Sequence, residues 1–180
     1  MLKNRNSVFI ATSLDGFIAD RDGGLNWLHS IANPEGDDMG YSNFMATIDA
    51  LVMGRITYET VSGFDMDWPY QKPVYVLSNT LDEIPAKHKG KAHLIKGTLN
   101  KILADLGDQG FINLYIDGGT TIQNFLREDL IDEMIITTIP ILLGRGISLF
   151  GDLSQSLDFR CTKTKIFLES IVQNHYLRIR

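Results

Sequence analysis

The stretch Ala50-Leu51-Val52-Met53-Gly54-Arg55-Ile56-Thr57-Tyr58-Glu59 decides the fold. Four apolar residues in a row, too short a run for a helix, predict a strand covered on both faces. Gly54 interrupts the run, and a helix opens through Arg55-Ile56-Thr57 into Tyr58-Glu59-Thr60-Val61. A strand that passes through a glycine into a helix is the building unit of a parallel sheet wrapped by helices. Working outward, the same alternation recurs. Residues 7–12 read as the first strand, 50–53 as the second and 73–77 as the third. A weaker run at 92–95 precedes helical spacing over 99–106, ended by Gly107. Residues 111–116 give the next strand, Gly118-Gly119 lead into a helix over 120–126, and 130–138 resume the sheet. Beyond Pro140 and the loop Gly144-Arg145-Gly146, two runs near 158–167 and 170–179 alternate with period two. They predict an antiparallel hairpin at one end of the sheet.

The composition is compatible with this reading and removes several classes of function. With 180 residues and 44% hydrophobic content, one domain spanning 1–180 hides roughly 70% of its extended-chain surface and needs no second domain to build a core. Seventeen Lys and Arg against 22 Asp and Glu leave a net charge of −5. A nucleic-acid partner is not expected, because its electrostatic footprint is a basic excess. The basic end Leu177-Arg178-Ile179-Arg180 alternates like a strand with one solvated face. Cys161 is the single cysteine and the four histidines form no i, i+4 pair, so no disulfide or metal site is expected. No apolar stretch approaches the roughly 18 residues of a membrane span. The opening residues 1–6 lack a signal-peptide pattern. The expected location is the cytoplasm, with no membrane partner.

In an open α/β sheet, ligands bind outside the carboxyl ends of the strands. Three such ends stand out. Gly54 permits close backbone approach, Thr57 offers a hydroxyl in the first helical turn, and Arg55 places a permanent cation where helix N–H groups already favour an anion. Ser78-Asn79-Thr80 follow the third strand with three short polar side chains. Asp117-Gly118-Gly119-Thr120-Thr121 expose backbone amides at a helix start that Thr120 or Thr121 can cap. Three such junctions on one sheet edge span more than a single phosphate, and a dinucleotide fits. Neither the G-x-G-x-x-G fingerprint nor the P-loop G-x-x-x-x-G-K-[ST] occurs.

These blocks, together with 11–19 (Ala11-Thr12-Ser13-Leu14-Asp15-Gly16-Phe17-Ile18-Ala19), Asn26-Trp27-Leu28 and 130–150 (Leu130-Ile131-Asp132-Glu133, Pro140-Ile141-Leu142-Leu143-Gly144-Arg145-Gly146 and Leu149-Phe150 within it), carry a family resemblance. The sequence resembles the dihydrofolate reductase-like superfamily, most closely its branch related to the reductase domain of bifunctional riboflavin-pathway deaminase-reductases. The resemblance implies a dihydrofolate reductase-like three-layer α/β/α fold, its central sheet mostly parallel with an antiparallel C-terminal hairpin. It also implies NADPH as cofactor. Ala11 and Ile18 would line the nicotinamide pocket, with Asp15-Gly16 in a loop that closes over the ring. Gly54, Arg55 and Thr57 would hold phosphates, Arg55 with Ser78 and its neighbour Asn79 meeting the adenosine 2′-phosphate. Gly118, Gly119, Thr120 and Thr121 would take the pyrophosphate.

By the same resemblance, the substrate is a flat heterocycle, either dihydrofolate or the riboflavin-pathway compound 5-amino-6-(5-phosphoribosylamino)uracil. Phe17, Trp27 and Thr138 are the substrate-binding candidates. Asp15, Trp27 and Asp38 are the catalytic candidates; Asp38 shares an acidic stretch with Glu35 and Asp37, and its alternative role is to decorate a helix start. Arg145 is either a group that reaches a ribose phosphate or a solvated loop cation. A dinucleotide-binding module that retains the cleft without turnover is the alternative to a reductase. The chain has no H-x-E or C-x-x-C with which to hold the deaminase zinc. The resemblance and the apolar run Lys165-Ile166-Phe167-Leu168 imply a homodimer.

Overall fold

The computed structural model describes residues 5–180, so most of the chain's opening lies outside the described residues. The strands are β1 (Arg5–Ser13), β2 (Phe17–Asp20), β3 (Ala50–Gly54), β4 (Val74–Leu77), β5 (Ala92–Ile95), β6 (Asn113–Asp117), β7 (Glu133–Ile139), β8 (Gly146–Ser148), β9 (Phe159–Phe167) and β10 (Ile171–Arg178). The α-helices are α1 (Tyr41–Ala46), α2 (Arg55–Ser62), α3 (Leu99–Asp108) and α4 (Gly119–Arg127). Eight strands form one sheet in the order β5-β4-β3-β6-β1-β7-β10-β9. Pairing is parallel from β5 to β7 and antiparallel across β7-β10-β9.

The continuous apolarity of β3 has a direct cause, since residues 50–53 are fully buried between two helical layers. On one face, Leu51 and Met53 pack with Phe44 of α1, Ile48 and Tyr58 of α2. On the other, Val52 and Ile116 meet Ile102 and Leu106 of α3 and Ile122 and Phe125 of α4. Ile122 and Phe125 lose all solvent contact, each contributing about 1.5–3 kcal/mol of apolar transfer. The result is the three-layer arrangement expected from the sequence.

Two local features differ from the sequence reading. Helix α3 continues through Gly107 and ends at Asp108, with Gln109 as its cap. Gly110 takes φ +88°, its N–H donates to the Gly107 carbonyl, and the Phe111 N–H donates to that of Leu106. This is the Schellman closure, which needs the left-handed residue that Gly110 supplies and Gly107 does not. The second feature is a separate two-stranded antiparallel sheet of β2 and β8. It holds the segment after Gly144 against the segment after Asp15, with the Leu149 N–H donating to the Gly16 carbonyl at 3.0 Å.

Candidate active site

Because β1, β3, β4 and β6 are parallel, their carboxyl ends open on the same edge, where a cleft of about 860 Å³ lies. That size is in the range of small-molecule and cofactor sites. Gly54 closes β3 and caps α2 in an extended conformation, which places Arg55 and Thr57 in a first turn whose N–H groups lack helical acceptors. Gly118 holds the corresponding cap position of α4, with φ +91°. The two helix starts are packed on each other. A Cβ on Gly54 would stand 2.8 Å from the Thr121 hydroxyl, and one on Gly118 would overlap the Thr57 hydroxyl. A Cβ on Gly119 would stand 2.7 Å from the Ile18 side chain. Glycine at these positions lets two amide-rich helix starts share one cleft, an arrangement suited to an extended anion.

The structure brings eleven of the twelve sequence-predicted cofactor residues to the cleft wall: Ala11, Ile18, Gly54, Arg55, Thr57, Ser78, Asn79, Gly118, Gly119, Thr120 and Thr121. Arg55 meets Glu59 one turn along α2 at 2.7 Å, with both side chains nearly half exposed. Such a pair contributes a few tenths of a kcal/mol, so the guanidinium is free to exchange partners. The Ser78 hydroxyl accepts the Leu81 N–H at 2.9 Å and so shapes the turn after β4.

The predicted catalytic and substrate groups fall elsewhere, as does Gly16, the twelfth cofactor candidate, which turns the chain between β1 and β2 away from the wall. Asp15 is exposed and binds the Ser13 hydroxyl and the N–H groups of Leu143 and Gly144, which lower its pKa and make it a clamp between two loops. Asp38 accepts the N–H groups of Gly40 and Ser42 at 2.8 Å, so it secures the start of α1. Trp27 is buried with Ile139 and Ile171 in a cluster behind the cleft. Phe17 covers Gly146 in the small sheet. Thr138 lies in β7 between Thr12 and Val172. None of these residues, and not Arg145, lines the cleft.

Among the cleft residues, Arg127 is absent from the sequence reading, and Asp117 enters it only as the start of the 117–121 junction, with no role of its own. Arg127, in the last turn of α4, adds a second cation and is held by Asn124 at 2.6 Å. Asp117 ends β6 directly before the paired glycines and shares the cleft wall with Phe9, Ala11 and Tyr115. Part of its surface opens to the cleft while protein surrounds its carboxyl group, and this burial pushes its pKa up to about 6. The Gly118 N–H at 2.8 Å and the nearby Tyr115 hydroxyl offset part of the shift. Burial and the Asp117 charge raise the Tyr41 hydroxyl to about 12 and Tyr70 beyond it, so both remain protonated donors. The only sequence signal for Asp117 is an acid that closes an apolar strand ahead of Gly-Gly.

An eight-stranded mixed sheet with helices on both faces, and a cleft at the strand ends between two glycine-capped helix starts, define a dihydrofolate reductase-like α/β domain. The chain belongs to the RibD C-terminal domain family, whose model matches residues 7–172. It is 39% identical over 179 residues to the uncharacterised protein YwjB of Bacillus subtilis strain 168, covering 98% of this chain and 99% of that one. A crystal structure from Shewanella sp. PV-4, named for riboflavin biosynthesis, superposes with a TM-score of 0.96 at 57% identity over 98% of this chain and 99% of that one. Dihydrofolate reductase from Enterococcus faecalis, complexed with NADP(H), shares the fold at 19% identity, with a TM-score of 0.68 over 98% and 97% of the two chains. Among the described residues no helix is long and apolar enough to cross a membrane.

Proposed function

We propose that this protein is an NADPH-dependent reductase of a flat heterocyclic substrate. The observation that carries the reading is the junction Asp117-Gly118, where a carboxyl group whose pKa is pushed up to about 6 adjoins two closely packed, amide-rich helix starts on the cleft wall. NADPH fits the residues present. Glycine at 54, 118 and 119 lets the starts of α2 and α4 pack closely, so that their amide-rich first turns share one cleft in which a pyrophosphate can meet them, and Arg55 supplies a planar cation for the 2′-phosphate. When bound, the cofactor supplies the hydride. The chain's own part is to orient the acceptor against Ala11 and Ile18, to exclude water with Leu25, Leu28, Val61 and Phe64, and to hold a proton on the Asp117 carboxyl group. A carboxyl near pH 6 is suited to give up that proton at neutral pH and to recover it from solvent.

The second reading, a dinucleotide-binding module without turnover, draws support from Asp15 and Asp38, whose carboxylates are committed to backbone N–H groups outside the cleft. The experiment that separates the two is loss of reduced-nicotinamide absorbance with purified protein, using dihydrofolate and the riboflavin-pathway aminopyrimidine as acceptors. Turnover with either supports the reductase. Tight NADPH binding with no turnover across a broad panel of heterocycles supports the module, and failure to bind NADPH or NADH removes both.

A further inference from the structure

The tyrosine hydroxyls on the α1–α2 side of the sheet differ in what they meet. Tyr58 and Tyr115 are buried, and each has a partner inside the protein: the His88 ring at 2.8 Å and the Phe9 carbonyl at 2.9 Å. Tyr41 and Tyr70 are half-buried. Among the described residues neither of these two hydroxyls has a hydrogen-bond partner, and neither is sealed from solvent.

Two aromatic runs hold these rings. Tyr41 opens α1, and its ring stands edge-on to Phe9 at 5.5 Å and to Tyr115 at 6.5 Å. Phe9 and Tyr115 are both part of the cleft wall. Tyr70 follows α2 in a segment without regular structure, and its ring is fixed by Trp68, which it meets edge-on at 5.4 Å. Trp68 in turn packs on the buried, Tyr58-bound ring of His88 at 4.3 Å. Edge-on pairs of this kind fix ring orientation as well as position. Across β3 and β6, Leu51 is level with Tyr115 and Met53 with Asp117. Strand alternation therefore turns Asp117 to the same α1–α2 side as Tyr115, and its charge acts on both Tyr41 and Tyr70. The two open hydroxyls thus share one neighbourhood with the cleft wall.

A phenylalanine at either position would fill the same volume, so what tyrosine adds is a donor. A protonated phenol can hold water in the free protein and exchange it for an acceptor on a ligand. On a flat heterocycle that acceptor is a ring carbonyl oxygen, while the surrounding aromatic side chains match the apolar faces of the ring.

We propose that Tyr41 and Tyr70 contact the substrate, their hydroxyls donating to ring carbonyl oxygen of the heterocycle and fixing its orientation on the cleft wall. This inference rests on the reductase reading above and names the side chains and the functional group through which that site selects its acceptor.

The probes are 5-amino-6-(5-phosphoribosylamino)uracil and dihydrofolate, both of which carry a ring carbonyl. Each is titrated calorimetrically into the full chain saturated with NADP⁺, so that no hydride is transferred. Cofactor binding is measured first, and its absence overturns the reductase reading itself. Tyr41→Phe and Tyr70→Phe each remove one oxygen and keep the ring. Each should weaken the acceptor that binds by about three- to tenfold, the scale of one hydrogen bond, while NADP⁺ affinity and thermal unfolding stay as in the wild type. Tyr176→Phe is the control. Its ring lies level with Met134 on the α3–α4 side, so its loss of a hydroxyl should change none of the three. Unchanged acceptor affinity in either variant overturns the role of that tyrosine, and NADP⁺ affinity lost in step with acceptor affinity overturns a role confined to the substrate. Failure of both probes to bind a chain that holds NADP⁺ overturns the inference and leaves the cofactor site intact.

Discussion

The hydroxyl of Thr57 occupies the space that a side chain on Gly118 would need. One residue belongs to the first turn of α2 and the other caps α4, so this contact fixes the distance between the two helix starts that flank the cleft. Gly118 is bound twice over, by the Thr57 hydroxyl and by its own φ of +91°.

Replacing Gly118 with alanine should therefore destabilise the fold by about 2–4 kcal/mol, combining left-handed strain with overpacking. It should also weaken NADPH binding, because α4 must retreat from α2. Gly36→Ala is the control. Gly36 has a φ of +65° but open space around it, so its cost should be limited to about 1 kcal/mol of backbone strain. Thermal unfolding and NADPH titration of the two variants check this, and equal effects would remove the significance given to Thr57.

Asp117→Asn should have opposite effects on activity and stability. The folded protein raises this carboxyl group from 3.8 to about 6, so between those values the folded state binds more protons than the unfolded state. Stability contributed at this site is greatest below about pH 4 and falls as pH rises through 6. Above that pH the ionised, buried group costs about 2–3 kcal/mol. The amide carries no such charge. D117N should be more stable than the wild type at pH 7.5, by up to that amount, and the difference should shrink towards pH 4. Reductase turnover should fall at least about 100-fold, the scale of a lost general acid. Unfolding measured at both pH values, alongside NADPH oxidation, tests both halves.

How much of this site was legible in the sequence depended on the range of the interactions. The β3–α2 and β6–α4 junctions were readable because an apolar run, a glycine and a helix start are contiguous in the chain. The role of Asp117 was not, because its burial and its neighbours Tyr41, Tyr70 and Tyr115 come from three separate segments. The place of Trp27 was open for a related reason. An indole beside a glycine-rich turn has the same local sequence whether it stacks on a ligand or fills a core. Here Ile139 and Ile171 decide the matter from more than 100 residues away. The β2 and β8 pair was missed because strands of four and three residues are too short to establish a period.

Arg55 and Glu59 give a prediction about cofactor choice. Arg55→Ala should weaken NADPH by about 10- to 100-fold and NADH much less, since only NADPH presents a 2′-phosphate for a charge-assisted bond. Glu59→Gln should act in the other direction. It removes a carboxylate 2.7 Å from the same guanidinium, so NADPH should bind up to a few-fold more tightly, chiefly at low salt, with NADH unaffected. Fluorescence titrations of both cofactors at two ionic strengths check the pair. An equal loss of NADPH and NADH in Arg55→Ala would reject the assignment.

Among the described residues strand β9 ends the sheet and pairs with β10 alone, and its outer edge leaves backbone groups open for another strand. Lys163 and Lys165 guard that edge against indiscriminate pairing, while Ile166 beside them is 68% exposed. A charged edge with an apolar spot favours one specific neighbour over random association. A homodimer is therefore expected, with a light-scattering mass of twice 20.2 kDa. Ile166→Lys adds a third charge at an exposed position, so it should leave the fold intact while driving the protein towards monomer. A wild-type mass near 20.2 kDa at micromolar concentration would exclude the dimer. A dimer indifferent to Ile166→Lys would place the interface elsewhere.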